Sequence, residues 1–194
     1  MSTPPPDPIA LFREAFTRAV GAERADPTAV ALATVGPSGA PSVRMVLFKD
    51  ADDRGFTFFT NHESRKAREL SAEPRAALCF YWPAIGVQVR AEGATERLAD
   101  GESDAYFATR PRESQLGAWA SRQSRPLASR EELVARVAEM DARFPAAVPR
   151  PPFWGGYRLV PARIEIWVAG AARLHERTLY ERTGAGWTAQ LLYP

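Results

Sequence analysis

The feature that most constrains the fold is a series of short β-forming runs separated by turn residues. Five of these runs occupy the first half of the chain, at residues 29–36, 41–49, 55–61, 75–82 and 87–98. The first two are joined by Pro37-Ser38-Gly39, and the third follows Asp52-Asp53-Arg54-Gly55, both of which are typical of turns. Because short runs joined by turns pair as antiparallel hairpins, we predict a β-meander here.

Helical patterns precede this series and interrupt it. Asp7-Pro8 supplies an N-cap followed by a first-turn proline. Phe12, Phe16 and Val20 then recur at four-residue spacing, which predicts a helix with one face on the core. Further helices are predicted at 63–72, 100–109, 113–121 and 129–144, and β-forming runs return at 154–160, 163–170, 173–182 and 187–194. Hairpins interrupted by helices predict an α+β fold around a barrel-like antiparallel sheet.

Length and cysteine content limit the class of protein. The 194 residues suit one domain, which we place at residues 7–194 after a disordered tail at 1–6. No apolar run approaches the roughly 20 residues of a membrane-spanning helix, and no secretory signal is recognisable. Because Cys79 is the only cysteine, no intramolecular disulfide can form, which favours a cytoplasmic location. Arginines are dispersed among acidic residues, so we expect no nucleic-acid partner.

A candidate phosphate site lies at the start of the predicted helix 63–72. Arg65 and Lys66 stand where free backbone N–H groups and the helix dipole attract an anion. The alternative is an ordinary capped helix with exposed basic residues. His62 is predicted to lie on a surface turn.

Two other segments carry cations in unusual positions. Arg44 and Lys49 bracket a predicted strand, and because side chains alternate along a strand they should point to opposite faces. They then either serve different ligand groups or both reach solvent. Tyr106, Arg110 and Ser114 recur at four-residue spacing across a predicted helix break. They could converge on one phosphate, and a helix end followed by a polar turn is the alternative.

The last candidate segment is a predicted strand near the C-terminus. Arg173, His175 and Arg177 should share one of its faces, where they line a ligand or form a solvent-facing edge. His62 and His175 lack partner ligands at zinc-like spacing, so no metal site is predicted. A Gly-rich phosphate loop and a dinucleotide-binding fingerprint are also missing from the sequence.

Taken in order, these segments resemble the pyridoxamine 5'-phosphate oxidase family. The motifs of the resemblance, which runs from about Asp7 to Pro194, are RMVLFK, TNHESRKARELS, the strand with Gln88, YFATRPRESQLGAWASRQS, FWGGYRL, and IEIW followed by RLHER. The resemblance implies an FMN-binding split β-barrel, antiparallel and Greek-key-like with flanking helices. It also implies a homodimer with FMN at the subunit interface.

The resemblance further implies a set of site residues. The implied FMN ligands are Arg44, Met45, Val46, Leu47, Lys49, Phe59, Thr60, Arg65, Lys66, Gln88, Gln123, Ser124, Trp167 and Arg177. The implied substrate ligands are Lys49, Tyr106, Arg110, Ser114, Arg173 and His175. Arg173 and His175 would face the substrate ring as the catalytic residues.

The reaction that the resemblance implies is an oxidation in vitamin B6 biosynthesis and salvage. Pyridoxamine 5'-phosphate or pyridoxine 5'-phosphate is converted to pyridoxal 5'-phosphate by hydride transfer to the flavin. Molecular oxygen then reoxidises the flavin and gives hydrogen peroxide, and the amine substrate also releases ammonia.

Two other functions are compatible with the same barrel. An FMN oxidase of the phenazine-biosynthesis type acts on a tricyclic substrate without a phosphate, which would not need Tyr106, Arg110 and Ser114. A non-catalytic flavin- or haem-binding split-barrel protein would not need Arg173 and His175.

Three positions depart from the pattern of the family. Ile166 stands where an aromatic residue is usual, Val168 where a polar residue or glycine is frequent, and Val87 where arginine is common. Because Ile166 and Val168 flank Trp167, we expect the packing beside the flavin to differ.

Overall fold

The computed structural model describes residues 5–184 and 186–194, so residues 1–4 of the predicted disordered tail lie outside the described residues. The helices in these ranges are α1 Pro8–Ala22, α2 Arg65–Ala72, α3 Asp100–Ala108, α4 Arg112–Ala120 and α5 Arg130–Arg143. The strands are β1 Ala29–Val35, β2 Pro41–Asp52, β3 Gly55–Asn61, β4 Arg75–Trp82, β5 Val87–Arg97, β6 Trp154–Val168, β7 Glu176–Thr183 and β8 Gly186–Leu191. None of these helices is long and apolar enough to span a lipid bilayer.

The strands form one antiparallel sheet that closes into a barrel. Its order is β3-β2-β1-β4-β5-β6-β7-β8, and a further pairing between β3 and β6 closes the first six strands. The predicted α+β barrel is therefore confirmed. The predicted meander is wrong, because α2 carries the chain from β3 to β4, which pairs with β1. This crossover leaves β3 free to pair with β6, so the barrel has no open edge there.

Strand β6 is one continuous element where we predicted two runs. Between the two predicted runs, 154–160 and 163–170, stands Pro161, which cannot donate a ladder hydrogen bond. A register shift instead occurs opposite Pro161, between Glu92 and Gly93. Gly93 permits this bulge, because a Cβ there would lie 2.0 Å from the Val160 carbonyl oxygen.

The main core lies inside the barrel and is covered by α1. The Asp7 carboxylate accepts a hydrogen bond from the Ile9 amide at 3.1 Å, which confirms the predicted N-cap. The Phe12 ring is fully buried and packs edge-on against Phe56 and Phe80, at centroid distances of 4.8 Å each. Val20 was expected on the same face but is 57% exposed, because strict four-residue spacing drifts around a helix of 3.6 residues per turn and the buried face continues at Ala19 instead.

A second apolar cluster joins α3, α4 and the segment that leads into β6. Its buried members are Phe107, Leu116, Val148 and Trp154. Arg150 reinforces this junction, since its guanidinium pairs with Asp100 and Asp104 of α3 and donates to the Trp154 carbonyl oxygen at 2.6 Å. The two helices are thereby fixed beside the barrel, and they carry several of the candidate site residues.

Candidate active site

One cavity of about 430 Å³ brings together residues from distant parts of the sequence. It lies where β2 and β3 meet α2 and the junction between α3 and α4. The candidate ligands that line it are Met45, Val46, Leu47, Lys49, Phe59, Thr60, Lys66, Tyr106, Arg110, Ser114 and Gln123. Thr109, Pro111 and Trp154 complete the lining.

Lys66 places a buried positive charge on the wall of this cavity. Only 8% of the residue is exposed, and its ammonium donates to Thr60 Oγ1 at 3.1 Å and to Gln123 Oε1 at 2.8 Å. Within the described residues no carboxylate forms a salt bridge with it. Burial, with a smaller contribution from Arg44, lowers the pKa of Lys66 to about 8. A buried cation with only neutral partners suits a bound anion such as the phosphate of FMN.

Arg65 and Arg44 are instead held by one buried carboxylate, that of Glu69. Arg65 Nε donates to Glu69 Oε1 at 2.8 Å and Arg44 Nη2 donates to Glu69 Oε2 at 2.9 Å. Burial alone would raise the pKa of Glu69, but hydrogen bonds from Thr34, Ser42 and the two arginines lower it to about 2. Neither arginine lines the cavity. Arg44 is thus held by Glu69, whereas Lys49 lines the cavity, and whether the two serve different ligand groups stays a prediction.

The break between α3 and α4 turns three polar side chains towards one space. Tyr106 lies in the last turn of α3, Ser114 lies in the first turn of α4, and Arg110 lies between the two helices. All three line the cavity together with Lys49. Arg110 is half-buried, and burial lowers the pKa of its guanidinium. Its Nη1 atom is buried without a hydrogen-bond partner in the described structure. An unpaired buried donor of this kind also fits a phosphate oxygen.

Gln123 and Ser124 occupy the loop between α4 and α5. Besides Lys66, Gln123 Oε1 accepts a hydrogen bond from Thr60 Oγ1 at 3.0 Å, which fixes its side chain against the cavity. Ser124 has a left-handed backbone conformation with φ of 68° and lines a neighbouring cavity. The two residues are adjacent in sequence but do not share the larger cavity.

A second group of candidate ligands lies outside this cavity. Gln88, Trp167 and Arg177 are direct neighbours across β5, β6 and β7. The ring of His175 lies 4.4 Å from that of Trp167, measured between centroids. Arg177 Nε donates to the buried Glu165 carboxylate at 2.9 Å. Within one chain, the candidate ligands therefore form two separate groups, one at the cavity and one beside Trp167.

The predicted shared strand face of Arg173, His175 and Arg177 is wrong. Strand β7 begins only at Glu176, and the preceding residues form a turn in which Ala172 and Arg173 have φ of 53° and 62°. The turn is tight because the chain folds back at Gly170, where a Cβ would lie 2.0 Å from the Leu174 carbonyl oxygen. The Gly170 amide donates to His175 Nδ1 at 3.2 Å. Arg173 and His175 are thus presented by a turn beside Trp167.

The three residues that differ from the family pattern lie together in the structure. Val87, Ile166 and Val168 line a pocket of about 210 Å³ against Leu11 and Ala15 of α1. Since side chains alternate along β6, Ile166 and Val168 point away from the face that carries Trp167. The altered packing therefore lies against α1.

His62 is not the surface residue that we predicted. Its ring packs edge-on against Tyr157 at 5.4 Å, and burial lowers its pKa to about 4. The lack of a side chain at Gly155 makes room for it, since a Cβ there would lie 2.6 Å from His62 Nε2. Among the described residues no group of three or more His, Cys, Asp or Glu side chains could hold a metal ion.

Two buried residues beside the site were not predicted from the sequence to have a role there. Trp154 lines the cavity and Glu69 holds two arginines, but neither was assigned a role. Trp154 lies within the FWGGYRL motif, which was a usable signal. Glu69 had a weaker signal, namely its four-residue spacing from Arg65 on one helix face.

Two family models match the chain. Residues 16–144 match the model described as pyridoxamine 5'-phosphate oxidase, and residues 154–194 match that of the pyridoxine 5'-phosphate oxidase C-terminal dimerisation region. The pyridoxine/pyridoxamine 5'-phosphate oxidase of Anaeromyxobacter dehalogenans is 62% identical and covers 100% of both chains. That of Myxococcus xanthus is 59% identical over 98% of this chain and 93% of its own.

Two solved structures are also similar. PhzG from Burkholderia lata, in complex with tetrahydrophenazine-1-carboxylic acid, has a TM-score of 0.91 and 38% identity, over 98% of this chain and 94% of that chain. A pyridoxamine 5'-phosphate oxidase-related, FMN-binding protein from Nostoc punctiforme has a TM-score of 0.76 and 20% identity, over 94% of this chain and 97% of that chain. At that identity the second likeness concerns the fold alone.

Proposed function

The chain belongs to the pyridoxamine 5'-phosphate oxidase family, and from this membership we propose that it oxidises pyridoxamine 5'-phosphate or pyridoxine 5'-phosphate to pyridoxal 5'-phosphate. FMN is its cofactor. The product makes it an enzyme of vitamin B6 biosynthesis and salvage. The cytoplasmic location expected from its cysteine content remains a prediction.

The observation that carries this proposal is the presence of two buried or half-buried cations on one cavity, neither of them neutralised by a carboxylate. Lys66 and Arg110 both line it, and neither is paired with a carboxylate in the described structure. Burying a charge without a partner is costly, so each position suits an anionic ligand. The proposed reaction needs two such anions, because FMN and the B6 vitamer each carry a phosphate.

At the first cation, the cavity would hold the phosphate end of FMN. Lys66 supplies the buried charge, with Thr60 and Gln123 fixing its position. Arg65 lies one residue away at the start of α2 and has its Nε held by Glu69, which leaves its terminal nitrogens for a ligand. When bound, FMN takes two electrons from the substrate and passes them to molecular oxygen, which yields hydrogen peroxide.

At the second cation, the chain would clamp the phosphate of the substrate. Arg110 offers a planar fork of donors, Lys49 a point charge, and Tyr106 and Ser114 hydroxyl groups. Fixing the phosphate restricts the position of the pyridine ring at the other end of the vitamer. The protein thereby lowers the entropic cost of reaching a reactive geometry. Arg173 and His175 are the residues that we propose to orient the ring and to assist proton movement.

We further propose that each active site combines residues of two subunits. The dimerisation region at 154–194 spans β6 to β8, which carry Trp167, Arg173, His175 and Arg177. These residues do not line the cavity of their own chain. Apolar side chains on β2 beside the cavity are exposed in the single chain, with Met45 at 61% and Leu47 at 46%. An exposed apolar patch next to a ligand site suits a subunit interface, with FMN held between the subunits.

A phosphate-free tricyclic substrate is the second candidate, because the structure of PhzG has the high TM-score of 0.91. The cationic lining at Lys49 and Arg110 argues against it, since such a substrate lacks the phosphate that these residues suit.

One assay separates these functions. The purified protein, loaded with FMN and supplied with pyridoxine 5'-phosphate in air, should form pyridoxal 5'-phosphate and hydrogen peroxide in equal amounts. Oxidation of a reduced phenazine carboxylic acid without oxidation of either phosphorylated vitamer would favour the second candidate. Failure to bind FMN would contradict both.

A further inference from the structure

We propose that Trp154 is a positioning residue for the substrate phosphate, which it serves by holding the Arg110 guanidinium against its indole face. The guanidinium carbon of Arg110 lies 4.7 Å from the centroid of the Trp154 ring, a cation–π distance. This inference rests on the proposed function, because it assumes that Arg110 binds the phosphate of a B6 vitamer.

Arg110 is supported in an unusual way for a half-buried arginine. Nearby arginines on the same structural unit pair with acids, as Arg112 does with Asp141 and Arg150 with Asp104. Arg110 has no acidic partner in the described structure, and its guanidinium instead lies over the rings of Trp154 and Phe107, the latter at 5.5 Å. Aromatic faces stabilise a cation without neutralising it. The charge therefore stays available for an anion, which a carboxylate in the same place would repel.

Trp154 is itself rigidly held. Its residue is only 7% exposed, and its ring stacks nearly parallel on Phe59 at 5.3 Å with an interplanar angle of 11°. Phe59 in turn stacks on Tyr106 at 4.1 Å. The backbone of Trp154 is fixed as well, because its carbonyl oxygen accepts a hydrogen bond from Arg150. Trp154 thus connects two proposed phosphate ligands, Arg110 directly and Tyr106 through Phe59.

The rigidly held Trp154 ring should affect which substrates the enzyme prefers. An arginine loses side-chain entropy when it binds an anion, and a fixed guanidinium has already lost most of it. By fixing Arg110, Trp154 should therefore favour phosphorylated vitamers over unphosphorylated ones. FMN affinity should depend on Trp154 much less, because Trp154 contacts Arg110 on the substrate side directly and reaches the implied FMN ligands only through Phe59.

The test compares two substitutions at Trp154 with a matched substitution elsewhere. Trp154→Leu removes the aromatic face, Trp154→Phe keeps a smaller one, and Trp119→Leu is the control. Trp119 packs against the same second cluster and carries the Arg143 guanidinium at 5.3 Å, but it does not line the cavity. The readouts are FMN affinity, competitive inhibition by inorganic phosphate, and the ratio of kcat/KM for pyridoxine 5'-phosphate to that for pyridoxine.

We expect Trp154→Leu to lower this ratio about tenfold and to weaken phosphate inhibition by a similar factor, within the range of a desolvated cation–π contact. Trp154→Phe should recover part of the loss. Trp119→Leu should change neither value. In the two Trp154 variants FMN affinity should change by a smaller factor than the ratio does, because only the stacking on Phe59 links Trp154 to the cofactor side.

A double-mutant cycle with Arg110→Ala tests whether Trp154 acts through Arg110. In the Arg110→Ala background, Trp154→Phe should have no further effect on the ratio or on phosphate inhibition. Equal losses with both substrates, or an undiminished effect in that background, would overturn the inference and assign Trp154 a purely structural role. Wild-type protein that does not oxidise pyridoxine 5'-phosphate would instead contradict the proposed function.

Discussion

At the scale of single residues, the buried lysine is the clearest link between stability and binding. The chain contains only two lysines, Lys49 and Lys66, and both line the cavity. Lys49 is exposed, whereas Lys66 is buried among neutral partners. Burial disfavours the charged form of Lys66, so its pKa falls from 10.5 to about 8. The folded protein therefore carries an electrostatic cost that an anionic ligand can offset.

Replacing Lys66 by methionine should separate stability from cofactor binding. Below pH 8 the wild-type lysine is charged in both the folded and the unfolded state, and its full desolvation cost is present. Removing it should raise the free energy of unfolding of the FMN-free protein by ~1 to 3 kcal/mol at neutral pH. This gain should shrink as the pH rises from 8 towards 10.5, where the wild-type lysine becomes neutral on folding.

Urea denaturation of the FMN-free proteins and fluorescence titration with FMN measure the two effects. Lys66→Met should lose FMN affinity by at least about tenfold, the factor of one charge-assisted hydrogen bond. Wild-type affinity should fall as the pH rises above 8. Lys49→Met is the control, because an exposed lysine should not change stability. A destabilised Lys66→Met protein that binds FMN normally would contradict this interpretation.

Substitutions at two arginines should affect cofactor binding and substrate oxidation differently. Arg65→Ala should weaken FMN binding, because it removes the fork that Glu69 holds at the start of α2. Arg173→Ala should leave FMN affinity unchanged and lower kcat/KM by about 10² or more, as expected for a group that orients the substrate. FMN titration and steady-state kinetics measure these values. Equal effects of the two substitutions on both measurements would refute the division.

At the scale of secondary-structure elements, local chemistry explains both the successes and the errors of prediction. Asp7 and Pro8 located the start of α1, and α5 also begins at a side-chain cap, since Ser129 Oγ accepts from the Glu132 amide at 3.3 Å. Helix boundaries at α3 and α4 followed from the break at Pro111. The turn before β7 was missed because His175 and Arg177 alternate in sequence as they would on a strand. In the structure, the positive φ angles of Ala172 and Arg173 and the close approach at Gly170 show the turn.

The turn before β7 gives a prediction for Gly170. Gly170→Ala would place a Cβ 2.0 Å from the Leu174 carbonyl oxygen, so the turn must shift, and with it Arg173 and His175. We expect kcat/KM to fall at least about tenfold, because a small misplacement of orienting groups is costly. FMN affinity should change much less.

Steady-state kinetics and FMN titration check this result, with Gly101→Ala as the control. A Cβ at Gly101, in the first turn of α3, would have no atom within 4 Å. The control should keep wild-type kinetics and be slightly more stable, by up to ~1 kcal/mol. Wild-type kinetics in Gly170→Ala would show that the turn does not position the substrate.

At the scale of the whole molecule, pairing between distant strands builds the cavity. Closure of β3 on β6 and the crossover through α2 bring Lys66 near Arg110, which sequence patterns alone did not dictate. The patterns did single out Lys66 and Arg110 as candidate ligands, because cations in apolar surroundings are unusual. They did not reveal that the candidates form two groups in one chain. We propose that residues 7–194 act as one domain and that dimerisation unites the two groups.

Mixing two inactive variants tests this union. Arg110→Ala alters the cavity and Arg173→Ala alters the second group, so a mixed dimer would have one doubly altered site and one intact site. When the subunits of the two variants exchange at random, roughly half of the dimers are mixed, and each mixed dimer has one intact site of two. The mixture should therefore show about a quarter of wild-type activity. Arg110→Ala mixed with Ser114→Ala should restore none. No recovery in the first mixture would place the whole site within one subunit.

The central claim is that this chain uses FMN to oxidise a phosphorylated B6 vitamer. The most direct measurement is an anaerobic titration of the FMN-loaded protein with pyridoxine 5'-phosphate, followed by visible absorption. We predict that the flavin bleaches in proportion to the vitamer added, that pyridoxal 5'-phosphate appears in equal amount, and that admitted oxygen restores the colour. Flavin that stays oxidised with both pyridoxine 5'-phosphate and pyridoxamine 5'-phosphate would contradict the account.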